Sequence, residues 1–255
     1  MTGHLVHVGY PKTGSKFLQR WFACHPGIAF SHWGIAGFGN AHEMVTAAAG
    51  EPATAPWRVT SHEALLTPWA EILDLGAGGC SLPTRGSQLA ACAMLGSLFP
   101  AARILIVTRG YEALLRSFYA ELVLGGAGHS FAEFGEALLA QVQAGTDPFD
   151  FGAAHDAYAA AFGRENVLVL PYELIDESPG EFLAALPSCL GLAPWRFPAE
   201  RVRPSAQSDR LATYRRLPRW VRAIPGPRRL RRQLAILHVA GLRAGRWNAL
   251  AAVIE

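Results

Sequence analysis

Nine residues near the N-terminus, Gly9-Tyr10-Pro11-Lys12-Thr13-Gly14-Ser15-Lys16-Phe17, bring together glycines, hydroxyls and two ammonium groups. A glycine-bearing turn between a strand and a helix aims backbone N–H groups at one point, and the helix N-terminus adds positive partial charge there. Phosphate or sulfate is the natural guest of such a loop. The chain contains 21 Arg but only 2 Lys, and both lysines fall in this segment. A compact ammonium is a point charge that can sit close to an anion, where arginine would present a planar fork. Arg109 and Ser117, eight residues apart, form a second candidate group. A guanidinium and a hydroxyl converging from two elements suit a phosphate distinct from the first. The third group is Thr60-Ser61-His62-Glu63. Its chemistry is proton transfer, because histidine titrates near neutrality and a carboxylate becomes a competent base when desolvation raises its pKa. Neighbours on a strand point to opposite faces, so only one of His62 and Glu63 faces a given ligand.

The elements that position these groups are legible from hydrophobic pattern and punctuation. Leu5–Val8, Arg58–Ser61, Arg103–Thr108 and Val167–Leu170 are short β-type runs, of which Arg103–Thr108, near-continuously apolar and β-branched, is the strongest. Phe17, Leu18, Trp21 and Phe22 repeat at helical spacing directly after the first loop. Ser130–Glu133 and Ser178–Glu181 have the spacing of capping boxes, the second with Pro179 at the favoured first helical position. Apolar strands alternating with helices predict an α/β fold with a central parallel sheet flanked by helices. Such sheets bind ligands beyond the carboxyl ends of their strands, where all three groups lie. Residues 31–56 and 74–88, rich in small residues, read as insertions or lids, and no internal repeat is present.

Composition narrows the class. With 255 residues, 51% apolar and 17% charged, the chain can bury a full core, and disorder is excluded. One domain is the expected organisation. The most apolar stretch, Leu89–Val107, is broken by Gly96, Pro100 and Arg103 and falls short of a membrane span. No leader-like segment opens the sequence. Cys24, Cys80, Cys92 and Cys189 form no C-x-x-C pair and read as reduced, mostly buried thiols, which points to the cytoplasm. The net charge of +3 conceals an asymmetry: residues 196–255 hold 14 basic and 3 acidic side chains, the rest 9 and 17.

The first loop has the G-x-x-x-x-G spacing of a Walker A motif but carries Ser15-Lys16 where that motif has Lys-Ser/Thr. The hydroxyl that would hold Mg²⁺ and the lysine that would reach the terminal phosphates have exchanged places. Tyr10-Pro-Lys-Thr-Gly-Ser-Lys-Phe-Leu-Gln19 instead resembles the phosphosulfate-binding loop of sulfotransferases that use 3′-phosphoadenosine 5′-phosphosulfate (PAPS). The resemblance covers roughly residues 3–208, is nearest to the bacterial branch of the family, and includes Tyr172-Glu173 and Cys189-Leu-Gly-Leu192. It implies a P-loop-like sulfotransferase domain over residues 1–208 and transfer of a sulfonate group from PAPS, without a metal, to a hydroxyl or amine. Lys12 would then contact the bridging oxygen, Thr13, Gly14, Ser15 and Lys16 would donate to the 5′-phosphosulfate, and Phe17 would fall beside the adenine. Arg109 and Ser117 match the family's 3′-phosphate motif, and the strand end at His62 and Glu63 matches the position of its catalytic base. Lys16 departs from the commoner hydroxyl residue. Tyr172-Glu173 reads as a structural corner, and Arg203-Pro-Ser205 as a weak match to a late loop over the nucleotide. The acceptor stays open among sugar, lipid, tyrosine and small metabolite. A Mg²⁺-dependent phosphotransferase and a non-catalytic nucleotide-binding protein are the alternatives.

Residues 209–255 read as a basic helical extension packed on, or appended to, the same domain. Leu230, Leu234 and Leu237 recur at helical spacing beside Arg228, Arg229, Arg231 and Arg232. Such a helix either closes over the core or lies against an anionic membrane or glycan. Nucleic acid is not an expected partner, since aromatic residues are sparse there and no recognition motif is present.

Overall fold

The computed structural model describes residues 3–30, 55–62, 66, 85–124, 130–195 and 197. Five strands form one parallel sheet: β1 (Gly3–Val8), β2 (Ile28–Phe30), β3 (Trp57–His62), β4 (Arg103–Thr108) and β5 (Val167–Pro171), in the spatial order β2-β3-β1-β4-β5. Between them run α1 (Ser15–Cys24), α2 (Arg85–Leu98), α3 (Tyr111–Leu124), α4 (Phe131–Gln143) and α5 (Phe151–Phe162), with α6 (Glu173–Glu177) and α7 (Pro179–Leu190) after β5. No helix among the described residues is long and apolar enough to cross a membrane.

β1 is the central strand, and Leu5, Val6, His7 and Val8 are all buried. β4 repeats the pattern through Ile104–Val107. Strands buried on both faces need covering layers, which is why these runs are continuous rather than alternating. α1 supplies one cover: Phe17, Leu18, Trp21 and Phe22 recur at helical spacing and join Leu186 and Leu190 of α7 in the core. The chain leaves β1 towards β2 and β3 on one side and continues through β4 to β5 on the other. The carboxyl ends of β1 and β4 therefore flank a topological switch, the place where open α/β sheets bind ligands.

By contact density the chain divides into one unit of residues 1–114 and 138–203 and a second of residues 115–137 and 204–255. In the second, Phe118, Tyr119, Phe131 and Phe134 form an aromatic cluster, with the Tyr119 and Phe131 rings edge to face at 5.2 Å.

Several local expectations hold and others need correction. Glu133 N donates to Ser130 Oγ while Ser130 N donates to the Glu133 carboxylate, completing that capping box. Ser178 makes no side-chain cap; α7 begins at Pro179 as predicted, but its entry rests on backbone bonds to the Ser178 carbonyl. The strand β2 was not anticipated, because three residues are too few to show a period. Residues 85–88, read as part of an insertion, are the first turn of α2. Of the described cysteines only Cys92 is buried, whereas Cys24 and Cys189 are exposed. Residues 31–54 and 74–84 of the two insertions, Arg203-Pro-Ser205 and the basic segment 209–255 lie outside the described residues.

Two histidines on the central strand make stability pH-dependent. Burial, with Arg58 nearby, lowers the His4 pKa to about 4, and burial alone lowers that of His7 to about 3. Below the ordinary histidine pKa of about 6.5 the unfolded chain takes up protons that the folded chain refuses, so stability falls as pH falls. Each histidine contributes a slope of about 1.4 kcal/mol per pH unit until its folded pKa is reached. The urea midpoint is expected to be flat from pH 8 to 7 and to drop between pH 6.5 and 5. An unchanged midpoint across that lower interval would refute the buried neutral state of both rings.

Candidate functional site

The loop between β1 and α1 is built around two left-handed residues. Gly14, at φ 81°, is the N-cap of α1, and Lys12, at φ 69°, is the only non-glycine residue with positive φ among the described residues. Glycine takes that conformation freely, whereas for lysine it costs about 1–3 kcal/mol and must be held by its surroundings. Three contacts hold it. Thr13 Oγ1 donates to the Tyr10 carbonyl at 2.7 Å, closing the turn beneath Lys12. Tyr10 is fully buried, its ring edge-on to Phe151 at 4.8 Å. Arg109 Nη1 donates to the Lys12 carbonyl at 2.8 Å from the end of the neighbouring strand.

These contacts leave the helix N-terminus without a side-chain cap. The Gly14 N-cap offers no side chain, and no acidic residue lies in the first turn. The first helical bonds run from Phe17 N and Leu18 N to the Gly14 carbonyl, so the preceding amides fall among the unsatisfied donors of a helix start. Residues 9–24 contain no carboxylate at all. Uncapped donors, the helix dipole and two lysines in one short segment make an anion cradle.

Arg109 is fixed by a second, aromatic contact. Its guanidinium lies 4.4 Å from the centroid of the Tyr172 ring, within the range of cation–π attraction. The same ring approaches the loop: a Cβ on Gly14 would meet Tyr172 Cε2 at 3.1 Å and Ile175 Cδ1 at 2.9 Å. The Tyr172 ring thus lies against both Arg109 and Gly14. Tyr172 N donates to the Thr108 carbonyl, and Gly110 N donates to Glu173 Oε1 at 2.7 Å, so Tyr172-Glu173 forms the corner that sets the end of β4.

The structure brings Lys12, Thr13, Gly14, Ser15 and Arg109 together. Lys16 is exposed on the first turn of α1. Phe17 faces the core, 8% exposed, with Phe197 edge-on at 5.7 Å and Phe182 at 6.5 Å. His62 ends β3 in register with Val8, which puts its backbone level with the start of the loop, and Glu63 lies outside the described residues. Ser117 sits on α3 in the second unit, its hydroxyl buried and without a partner among the described residues. Tyr172, read from the sequence as part of a structural corner, lies against the loop, and His7 is the buried polar residue beside it that motif reading passed over. The signal for His7 is its place two residues before the loop, between the apolar residues Val6 and Val8.

An anion cradle thus follows the first strand of a parallel sheet, with an arginine at the end of the neighbouring strand. The chain has the fold of the sulfotransferases. It matches the crystal structure of a sulfotransferase from Alicyclobacillus acidocaldarius with a TM-score of 0.56 and 17% identity, over 82% of this chain and 88% of that one. Mouse sulfotransferase SULT7A1, solved in complex with PAP, matches at a TM-score of 0.48 and 15% identity, over 84% of this chain and 62% of that one. No family model and no curated protein sequence matches the chain.

Gly14→Ala tests the geometry of the cradle. A Cβ there would collide with Ile175 and occupy a left-handed conformation, so a stability loss of about 1–3 kcal/mol is expected in urea unfolding. A variant as stable as the parent would show that the loop does not need this conformation.

Proposed function

We propose that the protein is a PAPS-dependent sulfotransferase that passes a sulfonate group to a hydroxyl or amine acceptor. The single observation that carries this reading is the carboxylate-free, uncapped start of α1, with Lys12 held in a left-handed conformation by Arg109. The fold agrees with it.

The residues present fit a phosphosulfate group. Ser15 has a buried hydroxyl with no partner among the described residues, and the cradle amides precede the first helical bond. PAPS supplies an activated sulfonate, whose sulfur gains a bond to the acceptor oxygen or nitrogen as its bond to the bridging phosphate oxygen breaks. Lys12 stabilises the charge that builds on that leaving oxygen. Thr13, Gly14, Ser15 and Lys16 hold the 5′ end by backbone and side-chain donors, and Arg109 takes the 3′-phosphate. His62 or Glu63 accepts the acceptor's proton, and adenosine 3′,5′-diphosphate leaves. Positioning and fixed charge supply the catalysis in this scheme.

Binding is tested by thermal shift with adenosine 3′,5′-diphosphate, ADP and ATP, each with and without Mg²⁺. A ligand at 100 times its Kd stabilises by about 2.7 kcal/mol, a shift of several degrees. Stabilisation by the 3′,5′-diphosphate, indifferent to Mg²⁺, is the expected result; stabilisation by ATP with Mg²⁺ alone would assign the loop to a phosphotransferase.

Lys12→Ala separates binding from chemistry. Turnover, read as adenosine 3′,5′-diphosphate released from PAPS across a panel of hydroxyl acceptors, is expected to fall by about 10²–10³-fold. Retained turnover would remove Lys12 from the reaction.

A further inference from the structure

Asp147 and Asp150 flank the turn that enters α5, beside the anion loop but outside it. The Tyr111 hydroxyl, two residues beyond Arg109, donates to Asp147 Oδ2 at 3.2 Å. Tyr10, which opens the anion loop, meets Phe151 edge-on at 4.8 Å. Burial, reinforced by the charges of Asp150 and Asp147, raises the pKa of the Tyr10 hydroxyl above the ordinary tyrosine value. Both carboxylates are therefore within electrostatic reach of the loop.

A cavity of about 10 Å³ lies between this turn and α2, bounded by Leu66, Arg85, Gln88, Asp147, Asp150 and Tyr158. Leu66 follows His62 by four residues, so the cavity also borders the chain that leaves β3. Its charges do not balance. Arg85 Nη1 pairs with Asp150 Oδ2 at 3.7 Å, whereas Asp147 has no ion pair among the described residues. Two carboxylates and one guanidinium leave a negative charge in excess. Tyr158 adds an independent sign of a guest. It is 1% exposed, and its hydroxyl has no hydrogen-bond partner among the described residues. A polar group buried that deeply is costly unless something completes it.

We propose that this cavity takes the ammonium group of an amine-bearing acceptor, held by Asp147, Asp150 and the Tyr158 hydroxyl oxygen. An ammonium carries three donors and one positive charge, which matches three oxygen acceptors and one excess carboxylate. The volume admits one water-sized group, so an ammonium head fits and a planar guanidinium does not. The acceptor is then an amino alcohol: its amine is anchored here and its hydroxyl takes the sulfonate. That last role rests on the function proposed above; binding of the cation does not.

The test has two parts. The ¹⁵N-labelled full chain, without nucleotide, is titrated at constant ionic strength with 2-aminoethanol and with its neutral counterpart ethane-1,2-diol. The Ala154 and Ala157 amides, on the cavity wall, report binding. The amine is expected to bind about tenfold more tightly than the diol, and Asp147→Asn to remove that preference. Asparagine keeps an oxygen for Phe149 N and Tyr111, so an unchanged urea midpoint separates lost charge from lost fold. Equal response to amine and diol, no response to the amine, or a preference that survives Asp147→Asn would overturn the cation site. Adenosine 3′,5′-diphosphate release from PAPS is then followed with a panel of amino alcohols and their deaminated counterparts. Asp147→Asn is expected to raise KM about tenfold for the amino alcohols, with little change in kcat and none for the counterparts. Turnover that ignores the amine would overturn the acceptor assignment. Amine binding with no turnover on any acceptor would refute the sulfotransferase reading and leave the cation site standing.

Discussion

The bond from Arg109 to the Lys12 carbonyl is the constraint on which the site depends. A left-handed lysine costs about 1–3 kcal/mol, and a hydrogen bond from a charged donor contributes about 1.5–3 kcal/mol. The two are of the same size, so the loop conformation is a balanced state that the neighbouring strand end maintains. Arg109 is itself held by the Tyr172 ring on one side and by the Gly110–Glu173 bond just after it in the chain. Pulling any of these apart loosens the others, because they share one corner of the sheet.

A second constraint is the polarity built into the centre of the sheet. His4 and His7 lie on the central strand, where apolar residues would contribute more to stability. Each finds a hydroxyl across the β1–β3 pair, His4 Nε2 with Thr60 Oγ1 at 2.9 Å and His7 Nδ1 with Ser61 Oγ. Desolvation keeps both neutral, so they bring hydrogen-bonding direction without net charge. That distinction suits a site whose fixed positive charge already comes from Lys12, Arg109 and the helix start.

Much of this was legible in the chain. Strong periodicity located four of the five strands and the buried face of α1, because a core strand and an amphipathic helix each impose a repeat. The Ser130 box formed because its two partners lie three residues apart on one helical turn, where sequence and space coincide. Ser178 has the same spacing but its hydroxyl accepts no cap bond, since its backbone is set by the preceding turn, where Ser178 N donates to the Leu174 carbonyl. Composition misjudged the cysteines: burial of a thiol depends on which helix face it falls upon, and Cys24 and Cys189 end their helices in the open.

By itself the sequence determined the class of fold, the anion loop and the cations that serve it, since strand, turn and helix start are consecutive and local sterics govern them. It could not show that Tyr172, more than 150 residues beyond the loop, lies against both Gly14 and Arg109. Nor could it show that Lys12 needs Arg109 to stay left-handed, or that His7 and Ser15 both border Gly9. Those relations join residues far apart in the chain or on opposite sides of a turn, and the pairing of parallel strands brings them to one corner of the sheet.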